Sequence, residues 1–162
     1  AAGRAYEVCQ YGTEAMGALR IEKGHVAGPE IDGRTTLRDL GLEGFASRRK
    51  PFVGSVLRRR ERLDDPARPA LVGLAIRGAA GAKAGSLLFS ETGETEGQGE
   101  GWVSSTTYSP ARGRNIALGV LRHGASRIGD TVRVVNFLGD ETLTATVVSH
   151  HFFDPNGERQ NA

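Results

Sequence analysis

The sequence predicts an α+β chain in which a short helical N-terminal segment, residues 1–65, precedes a six-stranded antiparallel β-barrel, residues 66–162. Before residue 64, apolar residues recur at the helical period. After residue 69, short runs rich in Val, Leu, Ile and Thr alternate with Gly, Asp and Pro, as in small barrels or sandwiches. The polar stretch between them contains Pro66 and Pro69, which disfavour helix, so we expect a linker there.

The N-terminal segment is expected to hold three helices. Thr13 can cap the first, and Gly24 lies where that helix should stop. Further short helices are expected at Thr36–Phe45 and Val53–Leu63. One face of the first helix holds Ala15, Ala18, Leu19 and Glu22. This segment is too small for a complete core, so we expect it to dock on the barrel, a partner chain or a missing N-terminal half.

Six runs after the linker are candidate strands. They are Ala70–Arg77, Gly85–Ser90, Gly101–Tyr108, Asn115–Arg122, Thr131–Leu138 and Thr142–His150. Gly139 and Asp140 between the last two runs indicate a tight hairpin turn. Glu91–Gly101 is rich in Glu and Gly without periodicity, so it is expected to form a flexible hairpin tip.

Composition limits the classes of function. Hydrophobic residues make up 38% and charged residues 25% of the 162 residues, which suits a globular core. The formal net charge of +2 creates no strong field for nucleic acid. No apolar run approaches the roughly 20 residues of a membrane helix. Neither a signal peptide nor an initiator Met begins the sequence, so we expect a fragment or a processed chain.

Glu22 is the most informative polar residue, because a carboxylate on an apolar helix face costs free energy unless it is paired. One interpretation is a ligand anchor that accepts N–H groups. The alternatives are an ion pair with Arg20 or Arg34, or a helix edge that remains in water. Periodicity alone leaves these alternatives open.

A basic stretch and the remaining reactive side chains carry weaker signals. The stretch comprises Arg48, Arg49, Lys50, Arg58, Arg59, Arg60 and Arg62. It could bind an anion, but charge runs of this kind are usually solvated faces. The single cysteine, Cys9, fits a reducing compartment and is expected to be buried and structural. Adjacent His150 and His151 would face opposite sides of a strand, so no metal site is expected. Neither Ser104 nor Ser109 has the context of a nucleophile.

The helix Gly12–Gly24 and residues 25–36 come first in a series of motifs that, in this order, resembles the glycine-cleavage aminomethyltransferase family, in particular its sarcosine oxidase alpha-subunit branch. The helix Gly12–Gly24 is similar to the one that carries the family's Arg-Leu/Ile-Glu motif. Residues 25–36 look most like the sarcosine oxidase branch. Phe52-Val53-Gly54, Gly101–Ser105, Tyr108-Ser109-Pro110, Ile116–Gly119 and Phe152–Gly157 are similar to further motifs of the family. The resemblance covers nearly the whole chain.

This resemblance implies a tetrahydrofolate site. The motif's glutamate, which contacts the pterin ring in the family, maps to Glu22, and a second acidic position maps to Asp39. The family usually has the longer Glu at that second position. Ala27 stands where the glycine-cleavage enzymes have a tyrosine, so a stacking contact is expected either to be missing here or to come from another residue. The family's catalytic aspartate lies outside this chain, so no catalytic residue is assigned and the chain alone is expected to lack turnover.

The resemblance also implies partners. FAD, FMN and NAD are implied only for a full complex with other sarcosine oxidase subunits, and the expected location is the cytoplasm, without nucleic-acid or membrane binding. The alternatives are a glycine-cleavage T-protein, a dimethylglycine or sarcosine dehydrogenase, a nucleic-acid-binding barrel, or a scaffold. Aromatic residues make up only 6% of the chain, which argues against stacking on nucleic-acid bases.

Overall fold

A computed structural model describes residues 3–93, 95 and 97–160 of the chain. Six antiparallel strands form a closed barrel in the order β1-β4-β3-β2-β5-β6. The strands are β1 Pro69–Ile76, β2 Leu87–Ser90, β3 Gly101–Ser109, β4 Arg114–Arg122, β5 Thr131–Asn136 and β6 Glu141–Val148. The helices are α1 Thr13–Lys23 and the four-residue α2 Glu61–Asp64. Short 3-10 helices occupy Arg4–Tyr6, Glu43–Phe45, Leu57–Arg59, Gly124–Ser126 and Glu158–Gln160.

The period-two alternation of the strands builds two apolar clusters on opposite sides of the barrel wall. The inner cluster fills the barrel with side chains that include Val72, Leu74, Leu88, Val103, Leu121, Val134 and Val147. The outer cluster contains Ile21 of α1, Leu71 of β1, Ile116 and Leu118 of β4, and Phe152. Because consecutive residues of a strand face opposite sides, Leu71 packs outward while Val72 packs inward. The outer cluster therefore docks α1 on the barrel.

The predicted fold class and all six strands are confirmed, with shifted ends. β2 starts at Leu87, because Gly85 has a φ of +88° that no extended strand residue adopts. The hairpin at Gly139 and Asp140 is confirmed, with a four-residue loop between the paired Asn136 and Glu141. The predicted flexibility of the tip at 91–101 stays a prediction, and Glu94 and Glu96 lie outside the described residues. The boundary between segments 1–65 and 66–162 likewise stays a prediction.

The helical predictions were right for α1 and wrong for the rest of the N-terminal segment. Gly12, not Thr13, is the N-cap of α1, while Gly24 ends the helix in the left-handed region at a φ of +76°. In place of a helix over 36–45 there are turns and the 3-10 helix Glu43–Phe45. The predicted helix over 53–63 breaks at Arg60, whose ψ is 138°. Val53 and Val56 are exposed, so no buried apolar face stabilises a continuous helix there.

Two predictions about burial were also wrong. Leu19 is 57% exposed, whereas Ile21 is buried, because α1 meets the barrel on a face rotated from the predicted one. Cys9 is exposed, because residues 4–14 all lie on the surface and contact too little of the barrel to be covered.

Candidate functional site

Glu22, in the last turn of α1, is buried against the barrel wall. The residue is 5% exposed, and its Oε1 accepts a 2.5 Å hydrogen bond from the hydroxyl of Ser109 at the end of β3. The ion pairs considered from the sequence do not form, because Arg20 bonds to Glu30 and Arg34 bonds to Asp32. Within the described part of the chain, no donor lies within hydrogen-bond distance of Oε2 of Glu22. The carboxylate therefore retains acceptor capacity for N–H groups.

Asp39 is equally buried, but its carboxylate already has partners. Arg68 donates from Nη2 to Oδ2 at 2.6 Å and from Nε to Oδ1 at 3.1 Å. The backbone N–H of Thr36 also donates to Oδ2, at 2.9 Å. The hydrogen bond with Asp39 raises the pKa of Arg68 against the opposing effect of its burial, and the charges of Asp39 and Asp65 add to the rise. Asp39 thus ties the loop before residue 40 to the start of the barrel.

Glu22 and Asp39 lie at different ends of the barrel wall. The Glu22 carboxylate bonds to Ser109, which pairs with Arg114 at the start of β4, whereas Asp39 lies beside the start of β1, which pairs with the other end of β4. The carbonyl oxygen of Asp39 accepts the N–H of Leu71 at 2.7 Å. The side chain of Leu71 packs in the outer cluster with Ile21, the neighbour of Glu22. The two carboxylates therefore lie towards opposite ends of β4 and have different hydrogen-bond partners.

Sequence reasoning missed a third buried carboxylate, Glu30, which is 1% exposed. Its Oε1 accepts from Ser104 at 2.7 Å and Ser105 at 2.5 Å, and its Oε2 accepts from Arg20 at 2.9 Å and from the N–H of Ala27 at 2.8 Å. Burial raises the pKa of Glu30, but the hydrogen bonds from Ser105, Ser104 and Ala27 and the charge of Arg20 together hold it below its usual value. Glu30 is therefore a charged link between α1 and β3.

A β-bulge makes the Glu30 contacts possible. The register of β3 against β4 shifts between Val103 and Ser105, so Ser104 is the extra residue. In a regular strand Ser104 and Ser105 would face opposite sides, whereas at the bulge both hydroxyls reach Glu30. No pattern in the sequence marks this bulge, which explains why the cluster was not predicted.

The residues that follow β6 contact the C-terminal end of α1. Backbone N–H groups of Phe152 and Phe153 donate to the carbonyl oxygen of Glu22, each at 2.9 Å. Nδ1 of His151 lies 2.9 Å from the carbonyl oxygen of Lys23, and the rings of His150 and His151 are 4.0 Å apart. The two histidines are not part of a metal-binding cluster. Among the described residues, no group of three or more His, Cys, Asp or Glu side chains could hold a metal ion.

Acid is expected to destabilise the chain through His150. Burial, followed by the charge of His151, lowers the pKa of His150 to about 4 from 6.5. The unfolded chain therefore binds more protons between these values, so stability is complete above pH 6.5 and falls as the pH drops towards 4. Between pH 7.5 and 5 the free energy of unfolding should fall by about 1–2 kcal/mol, allowing for solvent screening. Urea titrations at both pH values check this, and the difference should shrink in His150→Gln. An unchanged difference in that variant would assign the effect to other groups.

The basic stretch is a surface feature. Six of its seven side chains are exposed, and the seventh, Arg58, is half-buried with its guanidinium 5.9 Å from the centre of the Phe52 ring. A cleft of about 290 Å³ opens beside it, lined in part by Leu37, Arg59 and Leu63. None of the seven forms an ion pair with any residue the structure describes, in agreement with a solvated face. No helix in the described part of the chain is long and apolar enough to cross a membrane.

The chain is thus a closed six-stranded antiparallel barrel with a carboxylate-bearing helix packed on its outer wall. Residues 70–154 match the family model of the glycine cleavage T-protein C-terminal barrel domain. The chain therefore belongs to the glycine cleavage T-protein family through this domain, and the predicted family is confirmed.

Relatives from two groups of enzymes align along most of the chain. The sarcosine oxidase subunit alpha of Rhizobium meliloti (strain 1021) is 40% identical over 98% of this chain, which spans 16% of that protein. The aminomethyltransferase of Prochlorococcus marinus (strain MIT 9303) is 32% identical over 93% of this chain, which spans 39% of that protein. The crystal structure of the glycine cleavage system aminomethyltransferase T from Bartonella henselae has the same fold, with a TM-score of 0.71 at 24% identity, over 87% of this chain and 38% of that one.

Proposed function

We propose that this chain forms one wall of a tetrahydrofolate site in a sarcosine oxidase alpha-subunit type of enzyme. The observation that carries the proposal is the Glu22 carboxylate, which is buried and held at Oε1 by Ser109 while Oε2 remains open to a donor. The aminopyrimidine edge of a pterin offers N–H groups, and a buried carboxylate binds such groups by strong charge-assisted hydrogen bonds. The open acceptor oxygen of Glu22 and the N–H donors of the pterin therefore fit each other.

In this proposal the complete protein transfers the one-carbon unit released by oxidative demethylation of sarcosine to tetrahydrofolate. The products are glycine and 5,10-methylenetetrahydrofolate. Flavin and nicotinamide cofactors, FAD, FMN and NAD, would serve the oxidation elsewhere in the complex. Glu22 acts here by positioning: it holds the pterin ring so that N5 meets the incoming carbon. Ser109 keeps the carboxylate in one rotamer, which lowers the entropy lost on binding.

Asp39 is the second residue that we propose to face the folate. Because Arg68 and Thr36 already occupy its carboxylate, Asp39 would contribute through the lone pairs that they leave. Its contribution should accordingly be smaller than that of Glu22, and Asp39→Asn should weaken binding less than the matching change at Glu22.

Calorimetric titration of tetrahydrofolate under reducing conditions tests the site, using the protein expressed as the complete product of its gene. Glu22→Gln is expected to weaken binding at least tenfold, about 1.4 kcal/mol, because the amide replaces an acceptor by a donor. Glu14→Gln, on the exposed first turn of the same helix, is the matched control and should bind as the parent does. Equal affinity for the parent and Glu22→Gln, or no binding by the parent, contradicts the proposal.

We also propose that the N-terminal segment contacts other subunits, in the cytoplasm. Large apolar side chains are exposed there, and contiguous exposed apolar surface marks interaction sites. They include Tyr6, Tyr11, Met16, Leu19, Phe45, Val53 and Val56. Hydrogen exchange in the assembled complex should be slower in residues 3–65 than in the isolated chain. Unchanged exchange across that segment would remove this part of the proposal.

A further inference from the structure

We infer that the tail segment, residues 149–154, is a positioning device for Glu22. The tail segment follows β6 and wraps the last turn of α1, where it fixes the backbone from which the Glu22 side chain extends. This inference rests on the proposed function, because it concerns the same pterin-binding carboxylate. It assigns a role to His151 and to the neighbouring backbone, neither of which contacts the carboxylate itself.

The hydrogen bonds at the end of α1 show how the tail segment acts. A helix leaves its last four carbonyl groups without partners inside the helix. Here the N–H groups of Gly24 and His25 satisfy the carbonyls of Arg20 and Ile21. The remaining two are those of Glu22 and Lys23, and both bond to the tail segment. The end of α1 is therefore completed by residues that lie some 130 positions later in the chain.

Nδ1 of His151 is the donor atom in this arrangement. A carbonyl oxygen only accepts, so Nδ1 of His151 must carry its proton to bond to the carbonyl of Lys23 at 2.9 Å. On the same turn, the Lys23 ammonium donates to the carbonyl oxygen of Asp154 at 2.5 Å and to its Oδ2 at 3.2 Å. Gly24 has no side chain where the carbonyl of His150 passes, so the two segments approach closely.

The tail segment is in turn anchored to the barrel. Phe152 is 5% exposed and packs in the outer cluster with Leu71, Ile116 and Leu118. It lies over Gly73 of β1, where an added Cβ would be 2.8 Å from the tip of the ring. The backbone of Glu22 is thus connected to β1 through the tail segment, while its carboxylate is connected to β3 through Ser109. Both ends of one side chain are held by the same rigid barrel, as a preorganised site requires.

Substitutions that remove or replace the Nδ1 donor of His151 test the inference, with tetrahydrofolate affinity measured by the same titration. His151→Phe keeps the aromatic contact with His150 but removes the donor, and we expect affinity to fall about tenfold. His151→Asn places an amide N–H near the position of Nδ1 and should restore affinity to within about threefold of the parent. His25→Phe, at an exposed histidine after the same helix, is the control and should bind normally. A purely structural role for His151 would not produce rescue by asparagine.

A double-mutant cycle separates this inference from the proposed function. In a Glu22→Gln background, His151→Phe should change the affinity less than about twofold, because the carboxylate it positions is gone. If His151→Phe binds within twofold of the parent while Glu22→Gln is weakened, the tail segment has no positioning role and the folate site stands. If Glu22→Gln itself binds normally, the proposed function fails. If His151→Phe does not fold, Lys23→Met replaces it, because this change removes the contacts with Asp154. Its tetrahydrofolate affinity is then compared with that of the parent and of Glu22→Gln in the same way.

Discussion

Replacement of Gly101 by alanine is expected to lower the free energy of unfolding by about 4 kcal/mol or more. Gly101 begins β3 and pairs with Leu121 of β4 and Leu88 of β2. A Cβ at this position would overlap the carbonyl oxygen of Val120 and lie 2.9 Å from the Cα of Leu121. These are backbone atoms of the neighbouring strand β4, so they cannot move aside without breaking the pairing of β3 with β4.

Urea unfolding followed by circular dichroism measures this effect. Gly17→Ala is the matched control, because nothing lies within 4 Å of a Cβ built on Gly17 in α1. That substitution should stabilise the chain by up to about 1 kcal/mol, since alanine is the better helix former. The same change from glycine to alanine is thus expected to have opposite signs at the two positions. A loss below about 1 kcal/mol for Gly101→Ala would show that β3 can shift to admit a methyl group.

Glu30→Gln is expected to cost about 3 kcal/mol of stability at pH 7. The amide replaces one of the two oxygens that accept four hydrogen bonds, and it leaves Arg20 without its counter-charge. Because the pair joins α1 to β3, the loss should also loosen the helix that carries Glu22, and tetrahydrofolate affinity should fall with it.

The pH dependence of the stability loss in Glu30→Gln shows whether the loss comes from the charged carboxylate. The pKa of Glu30 is lowered in the folded chain, so its contribution is complete above the unfolded value of 4.5 and is lost as the pH falls through the lowered value. The penalty of Glu30→Gln should therefore shrink in acid. Asp64→Asn removes the partner of Arg38 in an exposed ion pair and should change stability by less than about 1 kcal/mol. Equal losses in the two variants would contradict a special role for the buried pair.

The local sequence determined the elements of the barrel. Short runs rich in Val, Leu, Ile and Thr, separated by Gly, Asp and Pro, predicted all six strands, because these residues suit a pleated, buried surface. The helical period predicted the first helix, and Gly24 ends it because a left-handed residue is needed there. Glu22 could also be singled out, since a carboxylate beside an apolar face needs a partner wherever that face is buried.

Only the tertiary structure decided which surfaces are covered and which polar groups meet. The helix expected over 36–45 does not form, and the one expected over 53–63 is divided into the short helices Leu57–Arg59 and Glu61–Asp64, because propensity cannot sustain a longer helix whose apolar side chains remain in water. The partners of the buried carboxylates are Ser109 for Glu22, Arg68 for Asp39, and Arg20, Ser104 and Ser105 for Glu30. Most of these partners lie far away in sequence from the carboxylate they bind, and the contacts of Ser104 and Ser105 with Glu30 depend on a bulge. Periodicity reports which face of an element is apolar, whereas the closure of the barrel decides what that face and its polar neighbours touch.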